Sequence, residues 1–177
     1  MGYRAGWLAV KNADLDVALS TIGLKQEGES NEAIYDPGHY AVQMPGGWLV
    51  VIGDGSDALD TVKPEHARAL SKGTDALHFM CSDTSMYAVI TAFRDGKKIW
   101  SLEHDGSNGV GAPVVAGNAP PLVGEIIAKC QAEQDAADEK VDHLSEAAPE
   151  IGRLLTGFRH DQTLGDGEHV PIFVLTA

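Results

Sequence analysis

The sequence predicts an α+β fold built on a mostly antiparallel sheet, and three observations carry that reading. Strand-like runs come in adjacent pairs joined by turn residues, helical periodicity gathers in one late stretch, and the two do not alternate as a doubly wound α/β chain requires. The expected form is a single domain over 1–177: a sheet-rich core (1–118), a helical segment (119–160) and a last strand (170–176). About six to seven strands are expected, with helices packed on one side and a C-terminal helical pair. At 177 residues and 44% hydrophobic content the chain is long and apolar enough for one core.

YRAGWLAV (3–10) is a short apolar run of strand length. Asn12 or Asp14 then caps a helix in which Leu15, Ala18, Leu19 and Ile22 share a face, stopped at Gly23. Residues 25–38 are polar, hold Gly28, Pro37 and Gly38, and read as a loop. HYAVQM and WLVVIG flank Pro45-Gly46-Gly47 as the arms of a hairpin over 39–53. Its second arm is apolar on both faces, which places it near the sheet centre.

Pro64 starts a helix in PEHARALSKG that Gly73 closes. Residues 75–104 read as a three-strand meander whose last turn, Asp95-Gly96, suits the positive φ angles of a tight hairpin. Strict alternation then puts Trp100, Leu102 and His104 on one face and Ile99, Ser101 and Glu103 on the other. Residues 105–119 show no periodicity. Pro120-Pro121 opens a helix with Leu122, Ile126, Ile127 and Cys130 on one side, running to about Lys140. A second helix lies near 143–157, with Pro149 tolerable in its first turn. VPIFVLT closes the chain as an edge-like strand because of Pro171, a strand suited to pairing across a two-fold axis in a homo-oligomer.

A formal charge of −13 makes nucleic acid and anionic membrane surfaces poor partners. No apolar stretch approaches membrane-span length and no signal peptide opens the sequence, so a cytoplasmic protein is expected. Acid is concentrated between Glu125 and Glu150, where Glu133, Asp135, Asp138, Glu139 and Asp142 stand among few cations. Such a stretch is either a solvated helix face or a docking surface for a basic protein.

Cys81 and Cys130 have no paired Cys or His nearby in sequence and read as reduced and buried. No metal site, cofactor motif or Gly-x-Ser-x-Gly elbow is legible. GSNGVG (106–111) lacks the Gly-Lys-Ser/Thr ending of a phosphate cradle. His-Asp pairs at 104–105 and 160–161 lack the helical setting of a metal-dependent phosphohydrolase. His104 is the best acid/base or ligand-binding candidate, with Trp100 beside it, Glu103 flanking it and the 106–111 loop following. The plainer role for it is structural, as a strand-end histidine bonded to its surroundings.

MPGGWLVVIGDG, ALHFMCSDTSMYAVITAFRDGKKIWSLEHD and LTGFRHD resemble, in order, the blocks of a family of small bacterial α+β proteins of unknown function. The resemblance covers most of the chain and implies structural marks: the Asp95-Gly96 turn, the strand from Trp100 to His104, and the closing GFRHD at Gly157 to Asp161. It brings no catalytic residue or cofactor. In acidity and size the chain is also similar, in style alone, to immunity proteins of toxin systems.

The leading expectation is a non-enzymatic, immunity- or inhibitor-like module whose acidic stretch meets a basic protein. Its rival is an enzyme or small-ligand binder with a pocket near His104, Trp100 and the 106–111 loop. A deep pocket holding His104 with another histidine or carboxylate favours the rival, and a filled sheet face with a flat acidic surface favours the module.

Overall fold

The computed structural model describes residues 4–30, 38–55, 59–107, 111–137, 141–162 and 170–177. Among these, one antiparallel sheet takes nine strands: β1 (Arg4–Lys11), β2 (Lys25–Ser30), β3 (Gly38–Gln43), β4 (Trp48–Asp54), β5 (Asp75–Ser82), β6 (Tyr87–Arg94), β7 (Lys97–Asp105), β8 (Val114–Gly117) and β9 (Ile172–Thr176). The described helices are α1 (Leu15–Ile22), α2 (Pro64–Leu70), α3 (Pro121–Ala136) and α4 (Ala147–Thr156), with a 3-10 turn, His143–Glu146, leading into α4. The spatial order is β2-β9-β3-β4-β1-β5-β6-β7-β8.

Local chemistry explains the hairpins and caps. Asp95 and Gly96 take φ of 50° and 71°, as a tight turn with two left-handed residues requires, and Arg94 faces Lys97 across it. Asp14 caps α1 by accepting from Val17 N at 3.0 Å, and Gly23 ends the helix in the left-handed region. Pro149 sits in the first turn of α4, where its missing N–H removes no helical bond.

Several expectations are corrected. The sheet has nine strands among the described residues, two more than the upper expectation, because β2 and β8 form inside stretches that read as loops. β2 is polar throughout and is held by ladder bonds to β9, so its side chains carry no apolar pattern. β9 is no edge strand: it pairs with β2 on one side and β3 on the other, while Pro171 lies just before the ladder and removes no bond from it. A homo-oligomer built on an open edge at β9 has no such edge to use.

Helices cover both faces, not one. Alternation along β1 sends Trp7 and Ala9 into one core with Val123, Ile126 and Cys130 of α3 and Ala148 and Ile151 of α4. Leu8 and Val10 enter a second core with Ala18, Leu19 and Ile22 of α1 and Ala67 of α2. β4 is buried on both faces beside β1, as its unbroken apolar run implies.

Candidate functional site

Cys81, Ala88 and His104 stand in register across β5, β6 and β7, on the face covered by α3 and α4. The alanine between the other two leaves space above the strands. Over this row pass the 3-10 turn, the first turn of α4 and the segment 157–161, and between them lies a cavity of about 390 Å³. Its wall includes Cys81, Ala88, Asp142, Glu146, Arg159 and His160.

Asp142 is the hinge of this arrangement. His104 Nε2 donates to its Oδ2 at 2.7 Å, and its Oδ1 accepts from Leu144 N at 3.1 Å and Ser145 N at 3.3 Å, capping the 3-10 turn. Both side chains are sealed from solvent, at 0% and 1% exposure. A Cβ on Gly106 would stand 2.6 Å from Oδ2, so the loop after β7 closes over the pair with a residue that has none.

Opposite that pair, Cys81 Sγ lies 3.4 Å from His160 Nε2. Burial pushes the thiol up to about 12 and pulls the His160 imidazole below its ordinary value. The two rest as thiol and neutral ring at pH 7, a hydrogen-bonding pair and not an activated nucleophile.

His160 is carried by the turn after α4, which Gly157 ends at φ 82°. Arg159 fastens that turn: it is bidentate to Asp161 at 2.6 and 2.9 Å, donates to Glu146, and lies 3.6 Å from Glu150. The Asp161 hydrogen bonds foremost hold the guanidinium pKa above its ordinary value, and Arg159 in turn draws Asp161 below the usual carboxylate range.

The structure separates the residues singled out from sequence. His104 and Trp100 share the inner face as expected, yet both are packed, at 1% and 5% exposure, and neither lines the cavity. Glu103 points to the opposite face and accepts from the Tyr87 hydroxyl at 3.2 Å. Of the 106–111 loop, residues 108–110 lie outside the described residues, and none of the rest lines the cavity.

Within the acidic stretch, Glu133 and Asp135 are exposed on α3, while Asp138 and Glu139 lie outside the described residues. Asp142 is corrected outright, since it is buried and not part of the outer acidic face: the helical segment turns inward there and its carboxylate bonds His104 of the sheet. Glu146 and Glu150 are matched by Arg159 and Arg153. Sequence reasoning weighed His160 only in a His-Asp pair and Cys81 only as a buried thiol, and gave Arg159 no part in a site. The sign that could have found Arg159 and His160 is the Arg-His-Asp run that begins two residues after a helix-ending glycine.

Among the described residues no group of three or more His, Cys, Asp or Glu is placed to hold a metal, and no helix is long and apolar enough to cross a membrane.

The buried histidines predict an acid-sensitive fold. His78, whose Nε2 lies 3.2 Å from the Val62 carbonyl, is pulled down to about 4 by burial, and His160 shifts the same way. The unfolded chain takes up these protons near pH 6.5 and the folded one resists them, so their contribution is full above about 6.5 and is lost as pH falls toward 4. Urea midpoints are expected to drop between pH 7 and pH 5, and a flat midpoint over that interval contradicts the assignment.

Comparison with protein-family models, curated proteins and solved structures gives no match to this chain.

Proposed function

We propose that the protein binds a small polar molecule in the cavity between the ends of β5 and β6 and the turns that flank α4, without covalent chemistry. The observation that carries this reading is the convergence on one cavity of Cys81, Asp142, Arg159 and His160, brought from three separate stretches of chain. Its volume of about 390 Å³ falls within the ~300–1,000 Å³ range of small-molecule sites. The protonated thiol and neutral imidazole supply directional hydrogen bonding and no standing nucleophile.

A thermal-shift screen of polar metabolites, run on the wild type and on Ala88→Leu, tests this. Ala88 lines the cavity, so the leucine intrudes on its floor between Cys81 and His104 at the cost of about 1–3 kcal/mol of overpacking. Ligands are expected to raise the melting temperature of the wild type and not of the leucine variant. No shift with any compound, or equal shifts in both proteins, counts against the site.

A second reading rests on Glu125, Glu133 and Asp135, which stand exposed on α3, where Lys129 approaches Glu133 at 3.9 Å. They support a non-enzymatic module for a basic protein partner. Pull-downs at low salt with Glu125→Lys/Asp135→Lys as control address it: capture by the wild type alone favours the module, and equal capture by both excludes it.

A further inference from the structure

A second cavity, of about 410 Å³, lies between the C-terminal end of α4 and the β3–β4 hairpin. α4 supplies Leu154, Leu155 and Thr156 to it, followed by Gly157; the β3–β4 hairpin supplies Met44, Pro45, Gly46 and Trp48, and Lys11 and Val170 complete the wall. Phe158, which follows Gly157, is 3% exposed and sets its ring edge-on to Trp7.

The chemistry of this wall is one-sided. It is apolar apart from backbone, the Thr156 hydroxyl and one charge, and that charge is positive in a chain whose net charge is −13. Lys11 Nζ donates to the Gly46 carbonyl and stands 5.3 Å from the centroid of the Trp48 ring. Among the described residues it makes no ion pair, and no carboxylate lines the cavity. The half-buried Lys11 has three N–H donors, of which one goes to the Gly46 carbonyl, so an anionic oxygen at the cavity would take another in a charge-assisted hydrogen bond.

We infer that this cavity binds a small amphipathic monocarboxylate, with the carboxylate on Lys11 and the apolar body against Trp48, Met44 and Leu155. The lone charge selects against the alternatives. A phosphate dianion would keep a second charge without a partner, an amine would be repelled by Lys11, and an alcohol would leave the ammonium as it is. The inference does not depend on the Cys81–His160 cavity, whose wall shares no residue with this one.

The test is a titration of the full chain with octanoate, octan-1-ol, octylammonium and acetate, followed by amide and indole N–H shifts in two-dimensional NMR. Octanoate is expected to bind saturably and to move Gly46, Gly47, Trp48 and Gly157. It should bind at least about tenfold more tightly than octan-1-ol, the scale of one charge-assisted hydrogen bond. Lys11→Met, which keeps the apolar stem, should lose that advantage while still binding octan-1-ol, and Lys11→Arg should restore it. The inference is overturned if octan-1-ol matches octanoate, if Lys11→Met binds octanoate as the wild type does, if acetate alone reproduces the shifts, or if none of the four probes binds saturably.

Discussion

Asp142→Ala is expected to destabilise the protein by about 3–5 kcal/mol, because three hydrogen-bond donors lose their acceptor, at about 1–3 kcal/mol for each one left buried. The carboxylate satisfies three donors at once, His104 Nε2 and the backbone N–H groups of Leu144 and Ser145, and alanine leaves all three without it, the first two of them buried. Stabilities of about 5–15 kcal/mol make that a large fraction of the total. His104→Ala should cost less, about 1–3 kcal/mol, because the carboxylate it leaves behind keeps both cap donors. Urea unfolding measures both, and the order of the two losses is the decisive result. Equal midpoints for Asp142→Ala and wild type would mean that the pair does not fasten the 3-10 turn to β7.

Trp7→Ala should cost a comparable amount, about 3–5 kcal/mol, by a different route. Trp7 stacks on Phe79 at 5.1 Å between centroids, meets Phe158 edge-on at 5.9 Å and is 1% exposed. α4 approaches it through Gly152, where a Cβ would stand 2.7 Å from the indole rim. Removal of the ring leaves a void at the junction of β1, β5 and α4 that this close approach cannot easily collapse. Trp7→Phe separates volume from polarity. Among the described residues the indole Nε1–H has no hydrogen-bond partner, so phenylalanine relieves a buried orphan while losing packing, and the net loss should stay below about 2 kcal/mol. A Trp7→Phe loss as large as that of Trp7→Ala would show that the nitrogen is satisfied in solution.

These two residues also mark how far the sequence could be read. Hairpins were legible because Asp95-Gly96 and Pro45-Gly46-Gly47 act through their own backbone preferences, and the face shared by Trp100, Leu102 and His104 follows from alternation alone. β2 and β8 were not legible, because the sheet's outer strands are defined by the backbone they pair with, and KQEGES carries no apolar pattern to announce it.

His104 was legible as a buried strand-end residue, but its partner was taken for surface acid. Counting charge along a chain does not say which carboxylate turns inward. The Cys81–His160 contact joins residues 79 positions apart, and no local spacing rule reaches that far.

The place of β9 bears on how the protein is made. Lys25 of β2 finds its ladder partner in Thr176, and His39 of β3 finds one of its own in Leu175. A ribosome delivers β2 and β3 long before β9, so through most of translation β2 has no strand to pair with and β3 shows an open edge. The nascent chain must hold this gap apart from its neighbours on the polysome until the late strand slides into it. Pairings so distant in sequence close late and slowly, which makes the polar composition of β2 useful before the fold exists: a waiting strand of Lys, Gln and Glu is a poor template for aggregation.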